Sequence, residues 1–389
     1  MPQVRIAQNN TCATCSNWEG HRKPINTIYE VTDWGKCKIK GEVYAADICK
    51  NYKYFRVNIL FIAYGVLGDH IICFRSLQLL KEKNADCEIT FVGNTAFADI
   101  AIKYGSNIIK KYWDGVIIDR CIPYNDFLNY TTQRDYKSEF WEGVFKQSNI
   151  IVNHRLDDNE FFANNLIKKG FNWIRTKHIN IDIDTSSKIL LQDKVKDETR
   201  NAYAQVGELI ELIGITTDSW QTVLEKKTNS SVIQELQNHF NTDTKEFIAF
   251  HPGSSTDIKN YPIEKWAIII NRLLKQYNNY KLLVFIGSHE EKIIPDIIKQ
   301  FKKEDVFLVQ KDLINSLQYL SICKLFLGHD TGFAHISASF KLSSVLLFGE
   351  ASLKLWIPPY KNTKVLFSEN IKNTEPSEIF DFIVQQNYI

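Results

Sequence analysis

The stretch Leu325 to Gly349, LFLGHDTGFAHISASFKLSSVLLFG, leaves few folds open. LFLG is a short apolar run ending at Gly328, the length of one buried strand. His329, Asp330, Thr331 and Gly332 make a polar turn, Phe333 to Phe340 is helix-compatible, and SSVLLFG returns as a second buried strand. A strand feeding a helix through a Gly-containing turn aims backbone N–H groups and the positive helix end at one point. Phosphate binds readily there. Taken alone, the stretch also fits an ordinary strand-turn-helix unit, so the rest of the chain must decide.

The same alternation recurs on both sides of it. Val57 to Ala63 (VNILFIA) reads as a strand buried on both faces, Tyr64 to Asp69 as the loop after it, and Ile71 to Lys83 as a helix. Cys87 to Val92 is the next strand and Phe97 to Tyr104 the next helix, with Val116 to Asp119 and Ile150 to Asn153 as further strands. Asp197 to Ile213 is a helix, and the polar run Glu225 to Ser231 (EKKTNSS) is read as a linker. The pattern then restarts. Glu246 to Phe250 is a strand, followed by the loop HPGSSTDIKNY and a helix led by Pro262. Lys281 to Ile286 is a strand ending in the turn GSHEE. Val306 to Val309 is a short strand, Asn315 to Cys323 a helix, and Pro376 to Gln385 a final amphipathic helix. Strands alternating with helices predict parallel sheets. Ligands in such sheets collect beyond the carboxyl ends of the strands, which makes the loop holding Asp69 a candidate site. Capping the following helix is the other reading of Asp69.

Residues 1 to 55 differ from this pattern. Cys12, Cys15, Cys37 and Cys49 fall here, the first two as a C-x2-C knuckle. So short a segment buries too little surface to fold alone, and a structural metal on four thiolates would stabilise it. The wide spacing of the second pair leaves zinc and iron, or an iron–sulfur centre, both open. No run approaches the roughly 20 apolar residues of a membrane span. The N-terminal MPQVRIAQNN lacks the apolar core of a signal peptide. A cytoplasmic protein is expected, with peripheral inner-membrane association allowed and its cysteines reduced or metal-bound. The net charge of +2 gives no reason to expect a nucleic-acid partner.

Three loops of the second half offer complementary chemistry. Gly253, Ser254, Ser255 and Lys259 suit a diphosphate: small residues permit close backbone approach, hydroxyls donate, and the lysine adds a point charge. Glu290 or Glu291 can accept from ribose hydroxyls. Asp330, Thr331, Gly332 and His335 sit at a helix start. Together they describe a nucleotide-diphosphate pocket. Neither a G-x-x-x-x-G-K-[ST] loop nor a G-x-G-x-x-G fingerprint is present, which argues against a P-loop ATPase and a nicotinamide enzyme.

At these residues the chain resembles the lipopolysaccharide heptosyltransferases, the family 9 glycosyltransferases of GT-B fold. ILFIAYGVLGDHI, HPGSSTDIKNYPIEKW and LGHDTGFAHISASFKLSSVLLFG match in order and spacing, and the likeness covers residues 57 to 389. It implies two facing Rossmann-like parallel-sheet domains after the cysteine module. Residues 56–228 would be the acceptor domain and 229–389 the nucleotide-sugar domain, its final helix able to pack back on the first. By the same resemblance Asp69 is the general base. Ser254, Ser255 and Lys259 hold the donor phosphates, Glu290 (or Glu291) binds ribose, and Asp330 meets the donor sugar. Thr331, Gly332 and His335 hold the diphosphate. The implied chemistry is inverting, needs no active-site metal, and uses ADP-heptose as the common donor, with a bacterial envelope glycan or lipopolysaccharide core as acceptor. Catalysis is expected where the two halves close.

Two departures stand out. Arg75 replaces the proline usual six residues after the aspartate, where it is free to meet a phosphate, and Gly349-Glu350-Ala351 replaces Gly-Pro-Thr, which bears on donor identity. Rival readings keep the fold but change the donor, use a protein acceptor, or make the chain an epimerase or hydrolase. Another makes it a non-catalytic nucleotide-sugar-binding scaffold.

Overall fold

A computed structural model describes residues 58–63, 65–83, 87–105, 118–132, 138–153, 168, 171–174, 188–192, 201–211, 215, 217–241, 246–254, 256–288, 290–349 and 354–389. It also gives six short N-terminal strands. These are β1 (Val4–Ile6), β2 (Trp18–Glu19), β3 (Arg22–Ile25), β4 (Ile28–Thr32), β5 (Trp34–Cys37) and β6 (Gly41–Tyr44). They pair antiparallel, in the orders β1-β4-β3 and β2-β5-β6. Cys37 ends β5, whereas Cys12, Cys15 and Cys49 lie outside the described residues, as does any geometry of the expected metal centre.

The chain divides into two compact units that are not contiguous in sequence. One comprises Met1–Gly65, Cys73–Asp197 and Ala204–Trp220; the other comprises Val66–Ile72, Glu198–Tyr203 and Gln221–Ile389.

In the first unit the elements are β7 (Asn58–Ile62), helix α1 (Leu67–Lys83), β8 (Glu88–Gly93), α2 (Thr95–Ile100), β9 (Arg120–Pro123), α3 (Tyr124–Thr132), α4 (Ser138–Gln147), β10 (Ile150–Asn153), β11 (Phe171–Ile174), β12 (Lys188–Gln192) and α5 (Ala202–Glu211). The first turn of α1 and the start of α5 belong to the second unit. The described strands form a six-stranded sheet, β11-β12-β10-β7-β8-β9, parallel throughout. Its central strands carry apolar residues on both faces, as a sheet covered on two sides requires. Leu60, Ile62, Val92, Ile122 and Ile151 form one core with Phe127, Trp141 and Phe145 of the flanking helices. The Trp141 ring meets Phe127 edge-on at 5.3 Å.

Three sequence expectations shift here. The strand expected at residues 116–119 begins instead at Arg120. The helix expected over Phe97–Tyr104 is α2 followed by a π-turn, Ala101–Gly105. α1 starts four residues early, at Leu67, because the Asp69 carboxylate accepts the Val66 N–H at 2.8 Å and satisfies an orphan donor of the first turn.

The second unit contains α6 (Ser230–Phe240), β13 (Glu246–Phe250), α7 (Ile263–Gln276), β14 (Tyr280–Phe285), α8 (Ile294–Gln300), β15 (Val306–Val309), α9 (Leu313–Leu320), β16 (Leu325–His329), α10 (Gly332–Ser339), β17 (Ser343–Phe348), β18 (Thr363–Phe367) and α11 (Pro376–Gln385). Its described strands form a parallel sheet in the order β15-β14-β13-β16-β17-β18. Renumbered from β13, this is the doubly wound order 3-2-1-4-5-6. The order reverses between β13 and β16, so the loops leaving those two strands diverge and open a crevice at their carboxyl ends. α7 buries Trp266, Ala267, Ile269, Ile270 and Leu273, a stripe of helical period, against the sheet. Ile379, Phe380 and Ile383 of α11 join that same core, so the final helix packs within its own unit. Among the described residues no helix is long and apolar enough to cross a membrane.

Candidate functional site

A cavity of about 960 Å³ lies in the second unit, at the crevice where the strand order reverses. Its walls come from the first turn of α1, from the loops after β13, β14 and β16, and from Trp356 and Lys372 near the C-terminus. The size suits a ligand larger than a nucleotide base alone.

The loop after β13 is fixed from beneath by His329, the last residue of β16. Its Nε2 accepts the Tyr261 backbone N–H at 2.9 Å and the Trp266 indole N–H at 3.2 Å. A ring accepting at Nε2 is neutral with its proton on Nδ1. Complete burial, with His251 nearby, pushes its pKa down to about 3, consistent with that state. Lys259 reaches from this loop to Asp330 on the other side of the crevice, Nζ to Oδ2 at 2.6 Å. Both side chains are largely buried and both line the cavity. The pair holds a cation at the cavity wall with its desolvation already offset by a partner. Ser254 also lines the cavity, and its hydroxyl donates to the Thr256 carbonyl at 2.7 Å. Ser255 lies outside the described residues.

Glu290 is seated by two glycines. Its Oε2 accepts the Gly287 N–H at 2.9 Å, and a Cβ on Gly253 would fall 2.2 Å from its Oε1. Glu290 lines the cavity and is 8% exposed, whereas Glu291 is exposed and absent from the lining. Of the two carboxylates left open by the sequence, Glu290 is the one placed in the pocket. His251 stands beside it, donating from Nδ1 to the Phe285 carbonyl at 3.1 Å. Burial lowers its pKa.

The third wall is the start of α10. Thr331 is its N-cap, and its Oγ1 accepts the Ala334 N–H at 3.4 Å, which leaves the hydroxyl proton for a ligand. Close packing joins this turn to α1. A Cβ on Gly332 would meet Leu67 Cβ at 2.6 Å, and one on Gly68 would meet His335 Cδ2 at 2.8 Å. This double approach puts Asp69 in the same cavity wall as Lys259, Glu290, Asp330 and His335. Asp69 caps α1 and also lines the cavity. Burial pushes the His335 pKa down to about 4, against the opposing pull of Asp330, so the ring is neutral near pH 7.

Arg75 does not meet the cavity. Its guanidinium pairs with Glu82 at 3.0 Å and donates to the Ser219 carbonyl. Glu350 and Ala351 lie outside the described residues. Sequence reasoning missed His251, Tyr261, Lys292, Phe333, Trp356 and Lys372 in the lining. His251 and Tyr261 flank the loop that was read as a phosphate site. Trp356 and Lys372 sit in single-turn 3-10 helices, Lys354–Trp356 and Ile371–Asn373, too short to give a periodic signal.

The model of glycosyltransferase family 9 (heptosyltransferase) matches residues 164–380. Lipopolysaccharide heptosyltransferase 1 of Campylobacter coli is 23% identical over 343 residues, covering 84% of this chain and 94% of that protein. Among solved structures, E. coli ADP-heptose lps heptosyltransferase II superimposes with a TM-score of 0.59 at 13% identity, over 86% of this chain and 100% of the other. E. coli heptosyltransferase WaaC with ADP-2-deoxy-2-fluoro heptose does so with a TM-score of 0.58 at 15% identity, over 85% and 100%. These likenesses establish the GT-B-like architecture of two parallel-sheet units.

Proposed function

Given that the chain belongs to glycosyltransferase family 9 and is a glycosyltransferase, we propose that it moves a heptose from ADP-heptose, with inversion, onto a bacterial envelope glycan or lipopolysaccharide core. One observation carries the reading. Asp69, Lys259, Glu290, Asp330, Thr331 and His335 all line a single cavity at the sheet's switch point. The names of the relatives point to the same donor and acceptor class.

In this reading the donor diphosphate lies against Lys259, the two serines and the start of α10. The partial positive charge of a helix N-terminus and the lysine cation take up the negative charge that grows on the departing nucleoside diphosphate. Glu290 accepts from the ribose hydroxyls, and Asp330, held by Lys259, faces the donor sugar. Asp69 takes the proton of the acceptor hydroxyl as its oxygen bonds to the anomeric carbon and the carbon–oxygen bond to the diphosphate breaks. Removing such a base costs about 10²–10⁴ in rate. No step uses a metal. The four-cysteine segment is a separate structural metal centre in this account.

A thermal-shift panel of nucleotide sugars tests the donor. A ligand bound by the folded state alone raises the melting temperature in proportion to the logarithm of its concentration over Kd. ADP-heptose is expected to give the largest rise at equal concentration. An equal or larger rise with UDP- or GDP-sugars would sink the ADP-heptose assignment.

A further inference from the structure

His335 lines the cavity, and one of its ring nitrogens faces a buried hydroxyl network. Its Nδ1 lies 2.9 Å from the Tyr203 hydroxyl, and the two rings lie 5.8 Å apart. Its other edge, Cδ2 and Nε2, abuts Gly68 in the cavity wall. Tyr203 is 1% exposed and lies about 130 positions from His335 in sequence, yet it belongs to the same unit.

A proton count gives the network a direction. The Tyr360 hydroxyl donates to the Thr222 carbonyl at 2.6 Å. The Ser339 hydroxyl donates to the His335 carbonyl at 2.8 Å. Each hydroxyl has one proton, so both are committed to backbone carbonyls. The Tyr203 proton remains, and burial pushes its pKa well up, so the phenol keeps that proton. It has two acceptors within reach: His335 Nδ1 and the Tyr360 oxygen. Donation to Tyr360 would require the proton of the neutral imidazole on Nδ1 and a lone pair on Nε2. That lone pair would face a cavity that holds the Asp330 carboxylate and, in the functional reading above, two phosphates. Donation to Nδ1 puts the proton on Nε2, where it faces negative charge favourably. The hydrogen bond on one ring nitrogen fixes the state of the other.

We propose that Tyr203 is a positioning residue that donates to His335 Nδ1 and locks the neutral imidazole as its Nε2–H tautomer, a fixed hydrogen-bond donor toward the donor diphosphate. The inference rests on the diphosphate reading of the cavity. A neutral donor has a use here: it binds the diphosphate without the desolvation cost of a buried charge.

The test joins spectroscopy with binding. In protein labelled with ¹⁵N-histidine, long-range proton–nitrogen correlations tell which ring nitrogen carries the proton, and the signal lost in His335→Gln assigns the residue. The wild type is expected to show a protonated Nε2 and an unprotonated Nδ1. Tyr203→Phe is expected to mix the tautomers and raise the Kd for ADP about five- to tenfold, the scale of one lost hydrogen bond. The His335→Gln variant presents a side-chain N–H without the phenol's help, so adding Tyr203→Phe to it should change Kd by less than about twofold. Should Tyr203→Phe fail to fold, the wild-type spectrum still decides, because a proton on Nδ1 overturns the proposal. An unchanged tautomer and Kd in a folded Tyr203→Phe overturn it as well. If the wild type binds no ADP, the diphosphate reading falls and the proposal with it. ADP binding that is lost in Lys259→Ala but untouched in Tyr203→Phe spares the reading and overturns the proposal alone.

Discussion

Replacing Gly253 by alanine tests how the cavity holds its carboxylate. The backbone at Gly253 is not in the left-handed region, so alanine itself is tolerated there. The new Cβ would lie 2.2 Å from Glu290 Oε1, 2.6 Å from its Cγ and 2.7 Å from its Cδ. No real contact is that short, so Glu290 must leave its seat between Gly253 and Gly287. It then loses the 2.9 Å bond from the Gly287 N–H and the position from which, in the proposed reading, it accepts from the ribose. A hydrogen bond to a charged group contributes about 1.5–3 kcal/mol, which corresponds to about a 10- to 150-fold rise in the Kd for ADP. Calorimetric titration of ADP into the wild type, Gly253→Ala, Glu290→Ala and the double variant closes a thermodynamic cycle. Since the clash is with the Glu290 side chain, Gly253→Ala should add less than about 0.5 kcal/mol once that side chain is gone. Binding within twofold of wild type in Gly253→Ala would refute the reasoning. So would a double variant that loses the sum of the two single effects.

Three further outcomes follow from the same geometry. Gly332→Ala drives a Cβ to 2.6 Å from Leu67, and overpacking of this kind should cost about 1–3 kcal/mol, read as a lower melting temperature. His70, His329 and His335 of the second unit are buried, with pKa values lowered by desolvation from the ordinary 6.5 to about 4, 3 and 4. The unfolded chain takes up protons near pH 6.5 and the folded chain does not. The stability they confer is therefore complete above about pH 6.5 and is lost as pH falls toward 4. At pH 5.5 the loss is about 4 kcal/mol for the three, roughly 1.4 kcal/mol each, measurable as a denaturation midpoint that drops between pH 7 and 5.5; a flat midpoint contradicts it. Metal analysis of the purified protein should find one zinc, or iron, for the segment bearing Cys12, Cys15, Cys37 and Cys49, and a colourless sample excludes an oxidised iron–sulfur centre.

What could be read in advance depended on how each element is stabilised. β16 is buried along its whole length and β17 along all but its first residue, so their apolar runs announced them, and Thr331 marked the turn into α10. α6 starts at Ser230, inside the stretch Glu225 to Ser231 read as a linker, and it was hidden because it buries only Val232, Leu236 and Phe240, one residue per turn. β18, a half-exposed edge strand, carries no clear alternation. The site loops were legible because Gly, Ser, Lys, Asp and Thr were chosen by local backbone and charge requirements. The choice between Glu290 and Glu291 was not, since it turns on which of two adjacent carboxylates fits between Gly253 and Gly287. Tyr203 had no local signal at all. Its contact with His335 exists only because Glu198–Tyr203 joins the second unit out of sequence order.

The most direct test of the account is the rate of heptose transfer as a function of ADP-heptose concentration, compared between the wild type, Asp69→Asn and Lys259→Ala. Asparagine still accepts the Val66 N–H and keeps α1 capped, so Asp69→Asn should lower the maximal rate about 10²–10⁴-fold with half-saturation unmoved. Lys259→Ala, which strips Asp330 of its partner and the diphosphate of its cation, should raise half-saturation at least tenfold, by about 1.4 kcal/mol or more. Rates and half-saturation near wild type in both variants would contradict it.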